Sequence, residues 1–346
     1  MLTILNVAFP LAPAGPDAVG GAEQVLSRLD QALIEAGHQS LVVACAGTKS
    51  AGTLLSTGIL PEKLTDSTRA DAYARHRQTI ARALDRWPVD VVHLHGIDFC
   101  EYLPSPGVPV LVTLHLPPAW YPPEIFQLSR PRTYLHCVSP AQRRACPPCA
   151  AMLPVIENGV PVPARRPPHA KRRFALALGR ICPEKGFHHA LDAARRATVP
   201  LWLAGQVFGY ETHQEYFQRE IAPRLDPARR FIGPVRLKRK QRLLAAAQCL
   251  LAPSLAPETS SLVAMEALAA GTPVVAFPSG ALADIVEHGR TGFLVNSVAE
   301  MAEAIPAARH LSPETCREAA RQRFSLAPMT GQYLQVYQDL KNKERP

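Results

Sequence analysis

Residues 249–277 constrain the fold more than any other stretch, because they read without a break as strand, loop, helix and strand. Cys249 to Ala252 is a short apolar run, the pattern of a strand covered on both faces. Residues 253–260 concentrate Pro, Ser and Thr and predict a loop. Ser260 or Ser261 is placed to cap a helix running to about Ala270; Gly271 stops it and Pro273 prevents its continuation. A strand resumes over 272–277. Short strands alternate with helical segments along the whole chain, which predicts an α/β fold of doubly wound, mostly parallel sheets.

The helix over 262–270 is apolar on nearly every side except at Glu266, so it is expected to be buried all round. Glu266 follows Leu262 and Val263 by one turn and shares their face. A buried carboxylate needs donors, either ligand hydroxyls or a cation such as Arg from the core. Glu258, in the preceding loop, is either a second hydroxyl-binding acid or a solvated loop residue. The helix start adds backbone N–H groups and a positive dipole end, both suited to phosphate. Two carboxylates for hydroxyls and amides for an anion fit a nucleotide sugar.

The 346 residues suffice for two domains, and a hydrophobic content of 47% supports a sizeable core. No apolar run is long enough to span a bilayer. The start, Met1 to Phe9, has no basic leader or small-residue cleavage site and reads as a first strand, so a cytoplasmic protein is expected. Charge is uneven: residues 1–160 hold 12 Lys/Arg against 13 Asp/Glu, and residues 161–346 hold 26 against 16. A basic second half suits a diphosphate-bearing ligand, an anionic membrane surface or a nucleic acid. The densest run, Arg236 to Arg242, reads as a solvated helix start, and no recognisable nucleic-acid module accompanies it. Eight scattered cysteines without a secretion signal argue against a disulfide framework.

In the first half, Gly20-Gly21-Ala22-Glu23 follows strand 2–8 and opens a helix of about fifteen residues with apolar residues at helical spacing. Glycines there allow a ligand to approach the backbone, and Glu23 is either part of that site or a first-turn acid favoured by the dipole. A strand over 39–44, a loop and an Arg-rich helix over 68–86 follow. His93 and His95 share one face of the next strand, but no third metal ligand is evident. His115 ends the strand over 108–115, where ligands sit in open α/β sheets, and the stiff loop with Trp120 and Tyr121 follows. Cys146-Pro-Pro-Cys149 has redox spacing, but two prolines fill its middle and no second pair completes a zinc set, so a loop corner is expected.

Four stretches together resemble the retaining GT-B glycosyltransferases of family four: residues 155–161 with Asn158-Gly159-Val160; Gly179-Arg180 through Lys185-Gly186; residues 257–276 with Glu258 and Glu266; and residues 283–295. Where many members carry Gly-Phe-Gly after the first Glu, this chain has Thr259-Ser260-Ser261. The resemblance implies two Rossmann-like domains facing a cleft: 1–160 on the acceptor side, 161–327 binding the donor, and a last helix in 328–346 crossing back onto the first. It implies a hexosyltransferase-like enzyme moving sugar from a UDP- or GDP-linked donor to a glycan, lipid-linked or small-molecule hydroxyl, as in polysaccharide biosynthesis. Gly20 and Gly21 would face the diphosphate. Arg180 and Lys185 would hold it with the amides near Ser260, Ser261 and Leu262. Glu258 and Thr259 would meet the sugar, Glu266 the ribose, and His115 the sugar near its reacting carbon. With no Asp-x-Asp motif, neither metal nor cofactor is expected; nucleic acid is not expected as a partner, and the basic second half permits, without requiring, peripheral contact with the inner membrane face. The alternatives are a GT-B epimerase, a nucleotide-sugar hydrolase, or a non-catalytic basic binding module.

Overall fold

The computed structural model describes residues 1–164 and 170–342. Residues 165–169, inside the Pro- and Arg-rich stretch 161–173, and residues 343–346, the end of the expected last segment, lie outside the described residues. The chain divides into two compact units, Met1–Glu157 with Met329–Pro346, and Asn158–Pro328.

Unit 1 contains β1 (Thr3–Val7), α1 (Gly21–Glu35), β2 (Gln39–Ala44), β3 (Thr53–Ser56), α2 (Asp66–Arg86), β4 (Val91–Leu94), β5 (Val110–Leu114), β6 (Thr133–Cys137) and α3 (Pro140–Ala145). Its sheet runs β3-β2-β1-β4-β5-β6 with every pairing parallel. All residues of β1, β4 and β5 are buried, as strands covered on both faces must be. Thr65 and Thr68 cap α2 reciprocally, and Ser139 caps α3 by accepting from the Gln142 N–H. The short edge strand β3 lies in the stretch expected as loop. Its four residues are all at least partly exposed, which leaves no alternation to read.

Unit 2 contains β7 (Ala175–Leu178), α4 (Phe187–Arg196), β8 (Leu201–Ala204), α5 (Glu211–Tyr216), β9 (Arg229–Phe231), α6 (Leu237–Ala246), β10 (Cys249–Ala252), α7 (Leu262–Ala269), β11 (Val274–Ala276), α8 (Leu282–Ile285), β12 (Gly292–Leu294), α9 (Val298–Ala307) and α10 (Pro313–Arg323). Helix α11 (Leu326–Asn342) starts in unit 2 and belongs to unit 1 from Met329 onward. The second sheet runs β12-β11-β10-β7-β8-β9, again all parallel. Read from its other edge, this is the same doubly wound order as in unit 1. The winding reverses between β1 and β4, and between β7 and β10, and a crevice opens at the carboxyl ends of such strands. The helical segment after β8 is not regular: α5 ends at Tyr216, a π turn spans Phe217–Ile221 and a 3-10 turn spans Ala222–Arg224. Pro223 has no N–H to continue a regular helix.

The first sheet carries a polar chain through its apolar interior. Four buried histidines, His93, His95, His115 and His136, lie on or beside β4, β5 and β6. The hydrogen bonds fix the protons of His93 and His136. His136 Nδ1 donates to the Cys137 carbonyl at 3.1 Å, so His136 Nε2 accepts from the Thr113 hydroxyl at 2.6 Å. Thr113 Oγ1 then accepts from His93 Nε2 at 2.7 Å, and His93 Nδ1 accepts from Tyr337 of α11 at 2.7 Å. Every link is satisfied by neutral rings. Tyr333, one turn earlier on α11, also approaches Thr113 Oγ1, at 3.3 Å. A helix distant in sequence is thus fastened to the sheet by specific polar contacts as well as by burial.

Burial holds these rings neutral. It pushes His115 down to about 3 and His136 to about 4, and lowers His93 and His95 well below the ordinary value. Because the folded values are depressed, the unfolded chain binds more protons in acid. The stability these groups contribute is therefore complete above about pH 6.5 and is lost as pH falls toward their folded values, at ~1.4 kcal/mol per pH unit for each fully shifted group. Melting should weaken steadily from pH 7 to pH 5, and Tyr337→Phe should cost about 1–3 kcal/mol at pH 7 by leaving His93 Nδ1 without its donor. Denaturant melts across that range check both; a flat profile with an unchanged variant would contradict the polar chain.

Candidate active site

In unit 2 the loops leaving β7 and β10 meet at the sheet's switch point. The loop after β7 holds Gly179, Arg180 and a 3-10 turn, Pro183–Lys185, before α4 begins. The loop after β10 holds Ser254 to Ser261 and feeds α7. Gly186 lets the two loops touch: its φ is 60°, and a Cβ there would lie 2.2 Å from the Pro253 carbonyl oxygen. The amides of Leu255 and Ala256 also donate to the Glu184 carbonyl, at 2.8 and 3.3 Å. Gly280 performs the same service behind Glu258. Its φ is 59°, a Cβ would lie 2.3 Å from the Glu258 carbonyl oxygen, and the Ala281 N–H donates to that oxygen at 2.8 Å.

This scaffold joins Lys185 and Glu258, 73 positions apart, in an ion pair of 2.5 Å. The Ser254 hydroxyl donates to the same carboxylate oxygen. Burial pushes the Glu258 carboxyl up, but Lys185, the Ser254 hydroxyl and the field of Arg180 outweigh it, and the group ends below its usual range. Arg180 is close enough to act on Glu258 electrostatically, so three of the predicted site residues share one locality. Thr259, Ser260 and Ser261 follow directly. The capping expected of Ser260 or Ser261 is not seen: Ser261 occupies the N-cap position without a side-chain bond, its φ and ψ of −84° and 85° lying outside the usual extended cap. Ser260 Oγ is buried with no protein partner, a polar atom at a helix start that a ligand oxygen could satisfy.

Helix α7 is not buried all round. Val263, Glu266 and Ala270 are partly exposed, and their spacing places them on one stripe, while Leu262, Ala264, Met265, Ala267, Leu268 and Ala269 are buried. Glu266 bonds the Lys240 ammonium at 2.9 Å, and both side chains are about nine-tenths covered. The cation beside Glu266 is thus a lysine rather than an arginine. It comes from the Arg236–Arg242 run expected to be solvated. On α6, Lys240 turns inward while Lys238, Arg239 and Arg242 stay exposed.

The remaining candidates lie in unit 1. Gly20 is the N-cap of α1, but the space beside it is filled: a Cβ there would meet Glu23 Oε2 at 1.8 Å. The carboxylate of Glu23 folds back over the positive helix start, so an anion expected at Gly20 and Gly21 would have to displace it. His115 is buried just beyond β5, and its Nε2 contacts His95 Nδ1 at 3.0 Å with the two rings stacked. His93 spends both nitrogens on Tyr337 and Thr113, which removes it from the metal reading of His93 and His95. Cys146 approaches Cys137 across 3.4 Å, and Cys149 packs against the apolar core of unit 1. None of the described helices is long and apolar enough to cross a membrane.

Comparison with known proteins places both units. The model for glycosyltransferase family 4 matches residues 19–163, and that for glycosyl transferases group 1 matches residues 172–308. Glycogen synthase of Mycobacterium tuberculosis is 27% identical across 99% of this chain and 96% of its own length. AviGT4, a glycosyltransferase involved in avilamycin A biosynthesis, has a similar structure with a TM-score of 0.73 and 26% identity over 99% of each chain. HepE of Anabaena, solved with UDP and glucose, shares the fold with a TM-score of 0.75 at 20% identity, covering 98% of this chain and all of its own. The chain belongs to the GT-B glycosyltransferases, with a family 4 domain followed by a group 1 domain.

Proposed function

We propose that unit 2 binds a nucleoside diphosphate sugar and that the enzyme passes the sugar to an acceptor hydroxyl with retained configuration. The observation that carries this is the meeting of Arg180, Lys185, Glu258 and the start of α7 at the β7–β10 switch point. Arg180 offers a planar fork and Lys185 a point charge to the diphosphate, and the α7 amides face the same anion. Stabilising the leaving diphosphate with fixed cations and amides requires no metal clamp, in keeping with the absence of an Asp-x-Asp motif. A diphosphate oxygen replaces Glu258 as the partner of Lys185, and the freed carboxylate turns to sugar hydroxyls beside Thr259.

Glu266, on the partly open stripe of α7, accepts from the ribose hydroxyls while Lys240 balances its charge. In the transfer step the anomeric carbon breaks its bond to the diphosphate oxygen and forms one to the acceptor oxygen on the same face. The diphosphate takes the acceptor's proton. His115, in unit 1, is held neutral by burial, which suits a hydrogen-bonding group rather than a charge. The donor is UDP- or GDP-linked, the acceptor a glycan, a lipid-linked glycan or a small molecule, and the basic surface of unit 2 permits work at the inner face of a membrane.

Two experiments test this. Arg180→Ala with Lys185→Ala should reduce turnover by at least ~100-fold, the scale of losing charge stabilisation of a leaving group; the melting temperature should fall, because Glu258 loses its cation, circular dichroism checks that the fold is kept, and undiminished turnover would refute the leaving-group role. A thermal-shift panel of UDP, GDP, ADP and CDP identifies the base. With the best of them, Glu266→Gln should weaken binding by about tenfold, the worth of one charged hydrogen bond. Equal affinity would show that Glu266 serves Lys240 alone.

A further inference from the structure

A second cluster lies in the same unit and plays no part in the proposed transfer. Cys182, Glu184 and His213 each present one donor atom, and the three atoms lie within 4.8 Å of one another. Cys182 and Glu184 flank Pro183 in the turn after β7, and His213 comes from α5. Three ligands from two elements, two of them held on either side of a ring-locked proline, form a preorganised set.

The surroundings orient the imidazole. His213 is buried, with the rings of Tyr210 and Phe208 edge-on to it at centroid distances of 5.1 and 6.2 Å. Its Nδ1 is buried and has no hydrogen-bond partner. A sealed, unpartnered imidazole nitrogen is costly unless something binds it. Cys182 is also buried, and its thiol makes a long contact of 3.6 Å to the Arg180 carbonyl, while Glu184 reaches the solvent side.

We propose that Cys182 Sγ, the Glu184 carboxylate and the His213 imidazole form a three-ligand site for a zinc-class divalent cation, with a fourth position left to water. The donor set decides the class. Sulfur and imidazole select zinc and its neighbours in the transition series, whereas magnesium and calcium require oxygen throughout. Binding expels the thiol proton to solvent, so two anionic ligands face a doubly charged ion. They offset the nearby Arg180, whose charge opposes a cation here. The ion ties α5 to the turn that carries Arg180 and Lys185. Its ligands are none of the groups assigned to the donor, so its presence can be tested whatever the sugar chemistry proves to be.

The test uses the full chain, stripped with a chelator and titrated with Co²⁺, whose complexes with thiolate give a charge-transfer band in the near ultraviolet. The expected result is a saturable band at one equivalent that Zn²⁺ displaces. Cys182→Ser should abolish the band. His213→Ala should weaken Co²⁺ binding by more than the roughly 10–100-fold that loss of an outer-shell partner costs. Cys146→Ser, which removes a thiol from the other cysteine cluster, should leave the band intact. Circular dichroism of each metal-free variant confirms its fold, and a misfolded Cys182→Ser is replaced by Cys182→Ala. No saturable band in the unaltered protein would overturn the site, as would a band that survives loss of the Cys182 thiol or disappears with Cys146→Ser.

Discussion

The Lys185–Glu258 ion pair joins two loops that leave neighbouring parallel strands in opposite directions, and the donor-side chemistry depends on that junction. Strands β7 and β10 are adjacent in the sheet yet separated by seventy residues, because the chain winds outward through β8 and β9 before returning. Loops at such a reversal cannot pack over the strand ends as ordinary crossovers do, so polar groups converge there without being buried by a helix. Gly186 and Gly280 then permit backbone approaches that any Cβ would block. A cation and a carboxylate that would gain little from each other on an open surface are held at contact in a largely covered place, ready to exchange partners with an anion and its hydroxyls.

Unit 1 solves a different problem with the same sheet order. Its central strands β4 and β5 are buried on both faces, yet they carry His93 and Thr113, and the edge strand β6 adds the buried His136. These groups are tolerated because each donates and accepts in a chain that ends on Tyr337 and on a backbone carbonyl. The arrangement requires neutral imidazoles and a hydroxyl at one position of α11. That requirement makes the last helix specific for this sheet and makes the unit sensitive to acid. It also bears on His115, which is stacked on His95 in the same cluster and shares its aversion to charge.

Much of this was legible in the residues. The run from Cys249 to Phe277 announces strand, loop, helix and strand through composition alone, and β10, α7 and β11 lie within it. Arg180 and Lys185 follow from the family resemblance and Glu258 also from its place in the loop before α7, and the structure brings them to one place. What escaped depends on pairing across distance. Lys240 reads as one more cation in a basic run, and only the packing of α6 against α7 turns it onto Glu266. His93 and His95 suggest metal by spacing, but their partners sit on β5 and α11. The short edge strand β3 lacks enough buried residues to leave a pattern. Glu23 over Gly20 is a side-chain conformation, which no spacing rule predicts.

The central claim is that the two loops at the β7–β10 reversal grip a nucleoside diphosphate. Backbone hydrogen exchange, followed with and without a saturating concentration of the diphosphate that gives the largest thermal shift, addresses it most directly. The account predicts slowed exchange in residues 180–186 and in residues 258–264 together, with the edge strands β9 and β12 unaffected. Protection confined to other segments, or no nucleotide-dependent change in either loop, would contradict it.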